Sequence, residues 1–135
     1  MYFLQIPRTV RSCTNLEKQD SGVYTIYPHG SGSFDVFCNQ TIAGGGWTVF
    51  QRKLDDSFSF DRVWKEYERG FKNLSGDLWL GLIKLHSLTK HGDWQIRVDW
   101  EEWEDNSPSY VEILNVEMLS HHKLKVKDSR RGADK

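Results

Sequence analysis

The residues able to do chemistry in this protein are few and scattered. Gly44-Gly45-Gly46 offers consecutive small residues that can turn backbone amides toward an anion. No Gly-Lys-Ser/Thr follows and the next residues read as a strand, so a tight turn with close backbone packing is the preferred reading. Asp55 and Asp56 are adjacent carboxylates suited to calcium or proton sharing, but no alternating oxygen ligands, bounding Glu or catalytic partner accompany them. A solvated turn is preferred there. Glu101, Glu102, Glu104 and Asp105, interleaved with Trp103, form the densest acidic patch and read as a solvated strand end. His86, His91, His121 and His122 lack the HExxH pattern and a third ligand at useful spacing, so they read as surface histidines. No residue is assigned a catalytic, metal-binding or ligand-binding role, and no cofactor is implied within the chain.

Two further groups invite a binding reading. Trp47, Trp64, Trp79, Trp94 and Trp100 could stack on sugar rings, yet they fall on the apolar stripes of candidate strands and helices. With Tyr67 they are assigned to the structural core. Lys123, Lys125, Lys127, Arg130 and Arg131 could meet a polyanion, but aromatic interleaving is missing and Asp128 interrupts them. A frayed, solvated terminus is preferred. Cys13 and Cys38 lie 25 positions apart with no CxxC and no paired histidines nearby, so a disulfide is the better reading in an oxidising compartment. Asn39-Gln40-Thr41 and Asn73-Leu74-Ser75 are candidate N-glycosylation sequons at Asn39 and Asn73, which point to the same secretory setting.

The elements that must position these groups follow from composition and pattern. At 135 residues the chain suits one unit with one core. Hydrophobic residues make up only 38% while aromatics reach 13%, which predicts a core of a few large rings in a loop-rich β or α+β domain. A net charge of −1 gives no global attraction to nucleic acid or anionic lipid, and no apolar run is long enough to span a membrane. Met1 to Pro7 is too short, and lacks the basic start, for a signal peptide.

Residues 1–12 show no periodicity and read as a flexible lead-in. Residues 22–28 and 34–38 read as strands of a hairpin around the Gly/Ser turn at 29–33, and residues 47–53 as a third strand. Residues 60–69 read as a helix with Asp61 as N-cap and Gly70 as stop, its stripe of Phe60, Val63, Trp64 and Tyr67 packing onto the sheet. A second short helix is predicted over 81–88, ended by the turn at 90–93. Trp94, Ile96, Val98 and Trp100 alternate with Gln95, Arg97, Asp99 and Glu101, which predicts a strand with one buried and one wet face. Residues 110–118 and 123–127 are further strand candidates.

Taken in order, Cys13; Ser21 to Ile26; Phe34 to Cys38; Gly45 to Arg52; Phe60 with Trp64, Tyr67, Gly70 and Phe71; Trp79 to Leu82; and Ile96 to Asp99 closely resemble the fibrinogen C-terminal (fibrinogen-related) domain family. The resemblance weakens from Trp100 onward. It implies a truncated α+β domain, with a small N-terminal β-hairpin subdomain and part of a central antiparallel sheet with short packing helices. The expected boundaries are 1–12 lead-in, 13–118 partial domain and 119–135 divergent, frayed segment. It also implies a secreted, non-enzymatic recognition module for glycans, receptors or matrix proteins, without nucleic-acid binding or membrane insertion. In the family, calcium and ligand belong to a C-terminal lobe whose motifs this sequence lacks, so the resemblance assigns neither to any residue here, and it leaves the oligomeric state open. A structural matrix fragment is the alternative class, with a hydrolase or metalloenzyme behind it.

Overall fold

In the computed structural model, which describes residues 10–16, 20–28, 32–54, 59–74, 76–90, 94–101, 108–120, 123–125 and 128–133, the β-branched and aromatic runs near the amino terminus form a three-stranded antiparallel sheet. Strand β1 (Gly22–Ile26) pairs with β2 (Phe34–Asn39), and β2 pairs with β3 (Trp47–Val49). The register sets Gly22 opposite Cys38 and Tyr24 opposite Val36, so Ile26, Val36 and Cys38 share the buried face while Val23 is exposed. A short 3-10 turn, Cys13–Asn15, docks beside this sheet through the Cys13–Cys38 disulfide.

The expected lead-in is tied down at its far end. Ser12 and Asn15 close a capping box, and Tyr27 donates its backbone N–H to Val10 O at 2.8 Å. Val10 and Ser12 are buried, so residues 10–12 belong to the folded unit, whereas residues 1–9 lie outside the described residues.

The strand predicted over 47–53 is two strands. After β3 the backbone leaves the first sheet at Phe50, whose carbonyl accepts from Leu80 N at 2.8 Å. It then enters a second antiparallel sheet as β4 (Gln51–Arg52), flanking β6 (Leu78–Trp79), which β5 (Phe71–Lys72) borders on its other side. Period-2 patterning looks the same on both sides of such a crossing, so the sequence does not mark it.

Helix α1 is Trp64–Arg69, four residues shorter at its start than predicted, with Val63 rather than Asp61 as N-cap. The entry is a loop: Asp61 donates its N–H to Ser59 Oγ at 3.1 Å, and the Tyr67 hydroxyl donates to Phe60 O. That loop rotates the predicted stripe apart. Val63 is 65% and Trp64 52% exposed, while Phe60 and Tyr67 converge edge-on against Phe71 at centroid separations of 5.0 and 5.2 Å. Gly70 ends the helix at φ 93°, its N–H bonding Glu66 O at 2.8 Å. Helix α2 (Leu82–Thr89) follows β6 and buries Leu88.

The assignment of Trp64 to the core is therefore corrected, and the interior is mostly aliphatic. Among the described residues, Val10, Ile26, Val36, Phe71, Leu78, Leu80, Leu88 and the cystine are the buried apolar groups. Trp47, Tyr67, Trp79, Trp94 and Trp100 are half-buried. A large ring carrying an N–H or O–H settles where one edge reaches a polar partner, while compact aliphatics fill the space between layers.

Where length predicts one unit, the protein forms two compact units, residues 1–88 and 89–135. In the second, β7 (Trp94–Glu101) pairs antiparallel with the long β8 (Pro108–Ser120), which pairs in turn with β9 (Lys123–Lys125) and β10 (Asp128–Ala133). The segment expected to fray thus carries two paired strands. Strand β9 lies within the candidate at 123–127; residues 128–133 lack an apolar alternation, but β8 presents backbone N–H and C=O groups that any non-proline backbone is able to meet. The predicted buried and wet faces of β7 are also mixed: Val98 is 42% exposed, whereas the Arg97 side chain is only 6% exposed. Arg97 lies 3.8 Å over the Tyr110 ring and pairs with Asp99 at 3.0 Å, so its stem and guanidinium plane are covered while its charge is met.

Candidate functional site

The most distinctive stretch, residues 39–82, begins as a loop wound around two side chains. Ala43, Gly44, Gly45 and Gly46 all have positive φ, between 42° and 87°. Gly45 N donates to Ile42 O at 2.8 Å and Gly46 N donates to Gln40 Oε1 at 2.6 Å. A Cβ on Gly45 would sit 2.9 Å from Gln40 O, so that position needs glycine for space as well as for φ. These amides face partners within the loop, which is the turn geometry preferred on sequence and not an anion nest. Asn39 Oδ1 accepts from Thr41 N and Thr41 Oγ1 at 3.0 Å each and from Ile42 N at 3.2 Å, an Asx turn that launches the loop from the end of β2.

From β4 onward the polar side chains tie backbone segments together. Arg52 stacks 4.4 Å over the Phe37 ring and donates from Nε to Gly76 O and from Nη2 to Leu74 O at 2.8 and 2.7 Å. Asp77, which no motif in the sequence marks, is fully buried. Its carboxylate accepts from Leu54 N and from Lys53 Nζ, the latter at 3.2 Å, while its carbonyl accepts from Asn73 N at 2.9 Å. An acid next to the apolar pair Leu78-Trp79 is the only sequence hint of this role, and such an acid is ordinarily solvent-exposed. Trp79 Nε1 donates to Tyr67 O at 2.8 Å, and its ring meets Phe50 and Tyr67 edge-on at 6.1 and 5.6 Å.

Two glycines let this assembly close. Gly70 and Gly81, at φ 93° and 109°, mark a crossing of the end of α1 over the β6–α2 link. A Cβ on Gly70 would lie 2.7 Å from the Leu80 carbonyl carbon, and one on Gly81 would lie 2.6 Å from Arg69 O. The two backbones touch with no room for side chains between them.

A cationic pair lies where Phe34 and Asp35 of β2 approach β5 and α2. Lys72 Nζ donates to Asp35 O at 3.2 Å, and Lys84 Nζ lies 6.0 Å over the Phe34 ring. Burial, then the charge of Lys72, hold the Lys84 ammonium below the ordinary lysine range. Among the described residues no cluster of three His, Cys, Asp or Glu side chains could hold a metal, and His86 is half-buried on α2. Asp55, Asp56, His91, His121, His122, Trp103, Lys127 and most of the acidic patch, Glu102, Glu104 and Asp105, lie outside the described residues. Tyr67 and Trp79 are brought together, as are Cys13 and Cys38, whereas Asn39 and Asn73 stand at separate turns.

Residues 6–133 match the family model described as the fibrinogen beta and gamma chains, C-terminal globular domain. The protein belongs to this family. Mouse Microfibril-associated glycoprotein 4 is 48% identical over 98 residues, which is 72% of this chain and 38% of that protein. Fibrinogen C domain-containing protein 1 of Xenopus tropicalis is 46% identical over 95 residues, 70% of this chain and 21% of that protein. The sequence thus spans well under half the length of these relatives. Among solved structures, the fibrinogen-like globe domain of human ANGPTL2 superposes with a TM-score of 0.85 at 30% identity, covering 91% of this chain and 60% of that one. The globe domain of human ANGPTL6 gives 0.84 at 29% identity, over 91% and 57%. The α+β fold with antiparallel sheets is therefore that of the fibrinogen-like globe, and the family match runs through the divergent residues 119–133.

Proposed function

We propose that this fibrinogen-like protein is the scaffold portion of an extracellular, non-enzymatic recognition module that serves glycan, receptor or matrix binding. The observation that carries the reading is the use of the polar side chains in residues 39–82. Arg52, Asp77, Gln40 and the Trp79 indole each hold backbone in place, which suits a framework and supplies no convergent nucleophile, base and orienting group. The Cys13–Cys38 disulfide supports a secreted setting, since such bonds persist in oxidising compartments. No helix among the described residues is long and apolar enough to cross a membrane.

In this reading, calcium and the ligand pocket belong to the part of the family domain that these residues do not cover. Binding of this protein to an acetylated resin or a glycan array, with and without calcium, tests that placement. No retention is expected, and calcium-dependent retention would overturn it. A second reading, a matrix role without a small ligand, is favoured by the 48% identity to a protein named for microfibril association. Co-sedimentation with assembled microfibrils in the absence of any glycan signal would select it.

A further inference from the structure

We infer that Asn39 is a site of N-linked glycosylation, built so that the glycan leaves the glycine loop intact. This rests on the secretory reading above. The sequon Asn39-Gln40-Thr41 sits where β2 ends, and alternation along β2 sends Cys38 inward and Asn39 to the opposite face. Every hydrogen bond described for the Asn39 side chain is accepted by Oδ1: from Thr41 N, Thr41 Oγ1 and Ile42 N. Nδ2 donates none of them. Asn39 is half-buried, and its Nδ2 is not among the buried side-chain nitrogens that lack a partner among the described residues, which are Gln40 Nε2 and Trp47 Nε1.

The chemistry fits that division of labour. In the transfer, Nδ2 attacks the anomeric carbon of a polyprenyl-pyrophosphate-linked oligosaccharide. A carbon–nitrogen bond forms, the bond from that carbon to the pyrophosphate oxygen breaks, one Nδ2 proton is lost and the lipid pyrophosphate leaves. The product is still a planar amide with an unaltered Oδ1. All three bonds that start the glycine loop therefore survive, and the sugar projects from an exposed turn in which Thr41 is itself exposed. Asn73 is exposed, but the hydroxyl residue of its sequon lies outside the described residues, so the inference is confined to Asn39.

The test is translation of the full sequence behind a secretion leader into sealed microsomes, followed by glycosidase release in heavy-oxygen water and peptide mass analysis of the protease-protected product. The Cys13–Cys38 linkage is read in the same digest. The wild type and Thr41→Ser are expected to carry the Asn39 label and Thr41→Ala to lose it, while Thr41→Ala keeps two of the three Oδ1 bonds and the disulfide. An unlabelled Asn39 in lumenal, disulfide-bonded protein overturns the site, including the case where Asn73 alone is labelled. A labelled Asn39 in a protein that cells then fail to secrete would sustain the site and count against the extracellular reading.

Discussion

The two sheets of the first unit are held by different means. The amino-terminal sheet has strands of three to six residues, a covalent staple and fully buried Ile26 and Val36. The second sheet has strands of only two residues each, too short to hold register by backbone pairing alone. It relies on Asp77, Arg52 and the Trp79 indole, and on backbone contact at Gly70 and Gly81. The first sheet is held by a covalent bond and a packed face. The second concentrates its stability in a few side chains and in two positions that must have none.

The largest expected effect breaks the first design. Replacing Cys13 and Cys38 together by Ala, or reducing them, opens a loop with a sequence separation of 25 and should cost about 3–4 kcal/mol in the chain-entropy view. Urea unfolding with hydrogen exchange should show the loss first in β1 to β3. Equal loss of protection in β4 to β6 would mean the two sheets unfold as one.

Next, Gly70→Ala should cost on the order of 2–4 kcal/mol, because it combines a strained positive φ with a clash against the Leu80 carbonyl. Gly44→Ala shares a positive φ but meets open space, so it should cost only about 1 kcal/mol. Similar denaturation midpoints for the two would show that the glycine crossing contributes no more than backbone freedom. Asp77→Asn should cost about 1–3 kcal/mol, since one carboxylate oxygen becomes an amide NH2 facing Lys53 or Leu54 N in a buried site. Chemical unfolding at neutral pH reads it, and an unchanged midpoint would remove Asp77 from the account.

The smallest effect concerns Lys84 at the seam between the sheets. Its folded pKa lies below the ordinary 10.5, so the unfolded state binds this proton more readily and the group's contribution to stability rises with pH up to about that value. Lys84→Met should abolish that rise and, given its partial exposure, stabilise the neutral-pH state by well under 1 kcal/mol. Parallel urea titrations at pH 7 and 10 measure both, and an identical pH slope in the variant would exclude Lys84 as the source.

How much could be read in advance divides along the same line. The hairpin, its inward residues and the cystine follow from period-2 alternation, turn chemistry and the cysteine pair, all local or countable properties. The helix stripe misled at Val63 and Trp64, because the i, i+3, i+4 spacing describes a face only if the helix has already begun there, and the loop at 59–62 delays it. The strand candidate at 123–127 contains β9, whereas β10 leaves no pattern in residues 128–133, because hydrogen bonding to β8 asks nothing of side-chain pattern. Asp77 was invisible because its value depends on Leu54 and Lys53, more than twenty positions away.

The sequence by itself determined the family, the antiparallel character of the fold, the staple and the turn at Gly44 to Gly46, since each rests on residue types acting over short separations. Only the tertiary structure decided which rings are core, where one strand becomes two, why Gly70 and Gly81 must face each other and which amides the Asn39 Oδ1 accepts from. Those outcomes depend on which distant backbone arrives at a given side chain, and no local pattern carries that information.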